Sequence, residues 1–264
     1  MEITLVPTAG LCNRMNAITS GICYKEKHKD VKLQIYWEKT PDCCAYFTDL
    51  FEPIPDYDIK PLKKFYLKTG KKNNLFLPDI LKKIHFDAYY YGASYDRMNF
   101  DSIIQNNKNI YISAYNAFTP FGLTSSLGKM FIPIDKLQKR ISRITGQYND
   151  NVIGIHIRRT DNAPAIKNNP LTKFTTLMDK EIQLNKDIRF YLATDSEEVK
   201  NELKEKYGNK IMSMPMSLTR NTLQGMQDAI VDLYCLGSTK RIIGCTNSTY
   251  SLMASRLFNI ELSL

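Results

Sequence analysis

The chain has no uninterrupted apolar stretch near the roughly 20 residues that a membrane-crossing helix needs, so no transmembrane segment is expected. Its first residues, MEITL, carry neither a basic segment nor a long apolar run, which argues against a signal peptide or an anchor. Cysteine is sparse. Cys12, Cys23, Cys43, Cys44, Cys235 and Cys245 include no CxxC spacing, and Cys43 and Cys44 are neighbours. In a chain of 264 residues they read as the reduced thiols of a cytosolic protein, not as a disulfide framework. Only three histidines occur, His28, His85 and His156, and none stands at metal-ligand spacing from another ligand, so no metal site is assigned. Internal repeats and low-complexity tracts are absent.

Acidic residues are in deficit. Against 36 Lys and Arg stand 27 Asp and Glu, a formal charge of +9. The excess lies mostly in residues 1–150, with 21 basic against 15 acidic residues. Much of it is one run: Lys60, Lys63, Lys64, Lys68, Lys71, Lys72, Lys82 and Lys83, interleaved with Leu62, Phe65, Tyr66, Leu67, Leu75, Phe76 and Leu77. Such a run usually forms a solvated face whose lysine stems lie along apolar surface. Its minority reading is peripheral contact with anionic lipid at the inner face of the membrane. No nucleic-acid partner is expected.

The stretch that organises the rest is 151–161, NVIGIHIRRTD. Its apolar residues suit a buried central strand of a parallel sheet. Alternation puts Gly154, His156 and Arg158 on one face and Ile153, Ile155, Ile157 and Arg159 on the other. A histidine and two arginines at the carboxyl end of such a strand are poor core material. In open α/β sheets that end is where ligands bind. Either the arginines form ion pairs and His156 is a satisfied core residue, or a guanidinium clamps a phosphate or carboxylate through paired hydrogen bonds. The turn-prone TDNAP that follows favours anion binding.

Around it the pattern predicts strands at 3–7, 31–37 and 109–114, with a helix through about residue 27 after the turn TAGLCNR. Residues 41–108 show no clean period. A helix over 134–148 would join two domains. Beyond it, strand 152–158, a loop with Pro164 and Pro170, helix 171–183, strand 188–193, helix 197–207, strand 211–214, helix 222–236, strand 241–245, a helix to 257 and strand 260–264 follow in order. Alternating strands and helices imply right-handed βαβ units and parallel sheets. Three further places could carry chemistry. Asp195 has capping-box spacing with Glu198, so helix capping is its expected role and donor contact the second. Asp228 and Asp232 share a helix face and need cationic or water partners, for which Arg158 or Arg159 would serve. Ser248 and Thr249 open a helix, where they cap it or, with its free N–H groups, hold a phosphate.

Taken together, GLCNR at 10–14, HIRRTD at 156–161, LATD at 192–195 and the G225–L236 segment followed by CTNST at 245–249 resemble the GT-B fucosyltransferase superfamily. That group includes core α-1,6-, rhizobial nodulation and bacterial α-1,2-fucosyltransferases. The resemblance is good over 151–258 and poor over about 40–145. It implies an α/β, GT-B-like fold of two Rossmann-like domains with parallel sheets facing a cleft, an acceptor-side domain at 1–148 and a nucleotide-sugar domain at 149–264. It implies metal-independent, inverting transfer of fucose from GDP-fucose to a glycan acceptor, with no cofactor. In this reading Arg158 grips the diphosphate, His156 contacts the nucleotide and Asp232 accepts from the guanine edge. Ser248 and Thr249 bind the β-phosphate, Asn13 lines the acceptor side and Arg159 pairs within its domain. The chain departs from the pattern at Cys12, which replaces a glycine, and after RRTD, where APAIK offers no carboxylate base. Asp161 or the leaving diphosphate remains as proton acceptor. The alternatives are another nucleotide sugar, or an inactive nucleotide- or RNA-binding module.

Overall fold

A computed structural model of the protein describes residues 1–94, 99–119, 127–160, 163–215 and 219–264. Two compact units emerge: Met1–Ile132 with Arg220–Leu223, and Pro133–Thr219 with Gln224–Leu264.

The first unit runs β1 (Glu2–Pro7), α1 (Leu11–Lys27), β2 (Lys32–Trp37), β3 (Ile59–Pro61), α2 (Leu77–His85), β4 (Ala88–Ala93), α3 (Phe100–Asn106), β5 (Asn109–Ala114) and the short α4 (Leu127–Met130). Its sheet is parallel, in the order β3-β2-β1-β5-β4. In β1, Ile3, Leu5 and Val6 are all buried, so helices and loops cover both faces of the strand. Gly21 lets α1 lie close: a Cβ there would stand 2.9 Å from Leu5 Cδ2. The strand order reverses between β1 and β5. There Thr8 donates from N and Oγ1 to the Ala114 carbonyl at 2.7 and 3.2 Å, and Asn16 Nδ2 donates to Asn116 Oδ1 at 3.2 Å. Within 41–108, which had shown no clean period, the described residues form two further strands, two short α-helices and three 3-10 turns.

The second unit runs α5 (Asp135–Thr145), β6 (Val152–Ile157), α6 (Ala163–Asn168), α7 (Leu171–Leu184), β7 (Arg189–Thr194), α8 (Glu197–Tyr207), β8 (Ile211–Met212), α9 (Leu223–Gly237), β9 (Ile242–Ile243), α10 (Thr249–Phe258) and β10 (Leu262–Ser263). The parallel sheet has the order β10-β9-β6-β7-β8, with β6 central as expected. Ile153, Ile155 and Ile157 pack with Phe174 and Met178 of α7 and with Val199 and Leu203 of α8. Each isoleucine, being fully buried, contributes roughly 1.5–3 kcal/mol. Gly154 faces the other way, where a Cβ would stand 2.7 Å from both Leu236 Cδ1 and Thr239 Oγ1.

Two elements differ from the sequence reading. Helix α5, placed in the first domain by a division at 148, clusters with the second unit. Leu137 and Ile141 are buried, and Arg140 pairs with Asp228 at 2.5 Å. A short helix, α6, forms where a loop was expected; Pro164 is tolerated because it lies in the first turn, whose N–H groups have no intrahelical partner. Among the described residues, no helix is long and apolar enough to cross a membrane.

Candidate functional site

The second sheet reverses its strand order between β6 and β9, and the loops after these strands adjoin. This is the crevice at which open α/β sheets bind ligands. Three loops build it: 158–160 after β6, 195–196 after β7 and 244–248 after β9.

Asp195 organises the first two. It accepts the Arg159 N–H at 2.7 Å, the Thr160 N–H at 3.2 Å and the Thr160 hydroxyl at 2.6 Å. Its Oδ2 pairs with Nε of Arg158 at 3.0 Å. The expected capping role is therefore corrected. Ser196 caps α8, accepting the Val199 N–H at 3.3 Å, while Asp195 reaches across to the β6 loop. The ion pair expected of Arg159 also falls to Arg158; the Arg159 side chain donates to the Arg158 carbonyl at 3.0 Å. Both arginines are half-buried.

The β9 loop is tied down by residues to which the sequence reading gave no role. Cys245 Sγ receives the Arg158 N–H and donates to the His156 carbonyl, each at 3.3 Å, so this thiol bridges the two strand ends. Burial pushes its pKa up, which keeps it a thiol. Asn169, fully buried, accepts the Thr246 N–H at 3.1 Å and donates to Thr246 Oγ1 at 3.0 Å. Its sequence setting, NNP, marks a helix boundary but gives no hint of this clamp. Asn247 takes left-handed backbone, φ 61°, which asparagine tolerates better than most residues. Ser248 then caps α10, accepting the Tyr250 N–H at 3.4 Å, and Thr249 is the first helical residue. The start of α10, with its positive dipole end, thus follows the strand beside the one that carries Arg158.

Under the crevice lie His156 and Asp232. The His156 ring sits 5.1 Å from that of Tyr250, tilted by 33°, and its Nδ1 has no hydrogen-bond partner among the described residues. Burial first, then the positive charge of Arg158, lowers the pKa to about 4, so the ring is neutral at pH 7. Asp232 is buried too, and burial raises its pKa to about 6. It accepts from the Tyr191 hydroxyl at 2.8 Å and the Tyr250 hydroxyl at 3.0 Å. Each carboxylate oxygen takes one hydroxyl and retains a second lone pair. Tyr250 also lies 2.8 Å from the Ala229 carbonyl, so its single proton has two acceptors. Asp228, for which Arg158 or Arg159 had been a candidate partner, pairs instead with Arg140 and accepts from Gln224 Nε2 at 2.7 Å.

Of the residues singled out in the sequence, the structure thus brings His156, Arg158, Asp195, Asp232, Ser248 and Thr249 to one end of one sheet. Asp161 lies outside the described residues. Asn13 belongs to the first unit, in the opening turn of α1 beside its own order reversal. Its neighbour Arg14 is a buried framework residue there: Nε donates to the Ala9 carbonyl at 2.8 Å, and the guanidinium reaches the Glu38 carbonyl and Thr40 and lies over Trp37. Among the described residues, no three His, Cys, Asp or Glu side chains gather as a metal-ligand set. One carboxylate pair in Asp-x-Asp spacing, Asp56 and Asp58, lies in the turn before β3, at the amino ends of the strands. Asp58 sits 3.6 Å from Lys60 there.

No protein-family model matches the chain, and no curated protein sequence is similar to it. Solved structures are. NodZ α-1,6-fucosyltransferase soaked with GDP-fucose superposes with a TM-score of 0.65 at 15% identity, over 97% of this chain and 92% of that one. A mutant of Arabidopsis thaliana FUT1 in complex with GDP gives 0.64 at 15% identity, over 99% and 69%. POFUT1 in complex with GDP gives 0.58 at 12% identity, over 98% and 94%. With its two parallel α/β sheets, this chain has the GT-B fold of those fucosyltransferases.

Proposed function

We propose that the protein is an inverting glycosyltransferase that moves fucose from GDP-fucose to a glycan acceptor without a metal ion. One observation carries the reading. At the order reversal of the second sheet an arginine, Arg158, and the capped start of α10 follow adjoining strands, in a fold some of whose solved examples were obtained with GDP or GDP-fucose. The second unit would hold the donor, and the first, through Asn13, would line the acceptor side.

In the proposed reaction an acceptor hydroxyl attacks the anomeric carbon as its bond to the diphosphate oxygen breaks. The sugar becomes oxocarbenium-like, and negative charge grows on the departing GDP. Asp195 orients Arg158 through Nε, so the cation is set before that charge develops. Ser248, Thr249 and the N–H groups that open α10 supply further donors. Such preorganised donors are typically the largest contribution to catalysis of this kind, and they take the part that a divalent cation plays elsewhere. His156, neutral, and Asp232 would contact the nucleobase. The acceptor proton would pass to Asp161 or to the diphosphate itself.

The test is a thermal-shift panel of GDP, UDP, CMP and ADP, followed by GDP-fucose turnover with and without a chelator. A nucleotide at about 100 times its dissociation constant should add roughly 2.7 kcal/mol of stability. GDP should give the largest shift, and the chelator should leave turnover unchanged. Equal shifts for all four would remove the guanine assignment; no shift with any would remove the donor site. Helix α6, the segment after RRTDN, carries no carboxylate, which favours a second reading: a nucleotide-binding module without catalysis. A GDP shift with neither transfer nor slow donor hydrolysis would establish it.

A further inference from the structure

Helix α2 is inverted relative to an ordinary surface helix. Leu77, Ile80 and Ile84 fall at i, i+3 and i+7, the stripe that normally faces a core, yet all three are exposed, as are the preceding Leu75 and Phe76. The five keep between 46% and 75% of their accessible surface. The helix turns Lys82 inward instead. That side chain is fully buried, its ammonium donating to the Lys68 carbonyl and lying 4.6 Å from the centroid of the Tyr111 ring. Leu75 and Phe76 both hold left-handed backbone, φ 53° and 54°, which bulky residues rarely adopt. Strain of this kind persists where the surroundings enforce it, and it concentrates at functional surfaces. The same segment exposes Lys63, Lys64, Lys68, Lys71, Lys72 and Lys83. Between positions 60 and 85 the sole acidic residue is Asp79, and it accepts from the Tyr91 hydroxyl.

We propose that this face docks on an anionic lipid bilayer, with Leu75, Phe76, Leu77, Ile80 and Ile84 entering the headgroup–acyl boundary and the lysines meeting the headgroups. A short helix with an outward apolar stripe and flanking lysines has the chemistry of an interfacial helix, and clustered lysines next to a membrane favour anionic lipid. A second copy of the chain is the poorer occupant, because it would set one lysine-rich face against another. The inference does not depend on the transferase reading. It is tested without nucleotide, so either can fail alone.

The experiment is co-sedimentation of the full chain with vesicles, either of phosphatidylcholine alone or of equal parts phosphatidylcholine and phosphatidylserine, at low and high salt. Wild type should pellet with the phosphatidylserine vesicles and be released by salt. The variant Leu77→Ser/Ile80→Ser/Ile84→Ser should partition at least about tenfold less, since each buried methylene it removes contributes to insertion. It replaces only exposed side chains, so its melting temperature should hold. If it does not, Lys71→Glu/Lys72→Glu/Lys83→Glu takes its place and should abolish binding to the anionic vesicles. Wild type that stays in the supernatant with both vesicle types overturns the proposal, and so does a folded variant that binds as wild type does. A concentration-dependent dimer in sedimentation velocity, lost in the serine variant and unaffected by vesicles, would identify the occupant as a second copy.

Discussion

Replacing Asp232 by Asn should make the free protein more stable, and the size of the gain follows from the burial of its carboxyl. The folded pKa is about 6, raised from 3.8 chiefly by burial. At pH below about 4 the carboxyl is protonated in folded and unfolded chains alike, so the variant and wild type should match. As pH rises through the interval to about 6, the unfolded carboxyl ionises while the folded one keeps its proton, and wild type loses stability. Above about pH 6 the loss levels off at about 3 kcal/mol, from about two pKa units at 1.36 kcal/mol each. Asparagine escapes it. Its carbonyl can accept from Tyr191, and its amide can donate to Tyr250, whose own proton then goes to the Ala229 carbonyl. The difference between the two proteins is the quantity to measure. His156, whose folded pKa is depressed to about 4, titrates with opposite sign over the same interval, so in wild type the two contributions partly cancel. Urea unfolding followed by circular dichroism from about pH 4 to about pH 8 gives the curve. A variant less stable than wild type at pH 7, or a difference that shrinks as pH rises, would refute the reasoning. The same variant should lose any preference for GDP over ADP, which separates the nucleobase role from the stability effect.

Arg158→Lys keeps a positive charge but loses the planar fork, and should lower GDP-fucose turnover, donor hydrolysis included, by the equivalent of about 2–4 kcal/mol. Among the described residues the Arg159 side chain has a hydrogen bond to the Arg158 carbonyl alone to lose, so Arg159→Lys should leave turnover and melting temperature near wild type. Gly154→Ala drives a Cβ to within 2.7 Å of Leu236 and Thr239 and should cost about 1–3 kcal/mol in chemical denaturation. Asn169→Ala removes the clamp on Thr246; it should cost about 1–3 kcal/mol and weaken GDP binding in titration calorimetry, and unchanged affinity would show that the β9 loop needs no clamp.

The second unit was legible because its physics is periodic. Ile153, Ile155 and Ile157 alternate with Gly154 and His156, and the two sets do face opposite helix layers. The strand-end position of Arg158 and the helix start at Ser248 follow from the same regularity. What could not be read was contact across the chain. Asp195 looked like a helix cap because a sequence shows it Glu198 and hides Thr160, which lies 35 positions away. Asp232 is framed by tyrosines 41 and 18 residues distant, and nothing in the spacing announces them. In the first unit the difficulty was of another kind. Helix α2 does carry an apolar stripe at helical spacing, but periodicity says only that a helix has two faces. Which of them turns inward was decided by Lys82 finding the Lys68 carbonyl and the Tyr111 ring.

The polar groups beneath the crevice bear on what it is built to hold. An apolar pair in place of His156 and Asp232 would avoid both burial costs, and buried charges are commonly less stable than well-packed hydrophobic replacements. At pH 7 the protein instead keeps a neutral imidazole with a buried Nδ1 and an ionised carboxylate bonded only to tyrosine hydroxyls among its described partners. A ligand edge that donates N–H groups to that carboxylate would recover part of the cost that burial imposes. Tyr250 can accommodate it by giving its proton wholly to Ala229. The burial cost of Asp232 thus lies where a donor-rich planar ring would relieve it. On the proposed reading of Asp232 as the nucleobase contact, stability and nucleotide preference should therefore move in opposite directions when it is replaced.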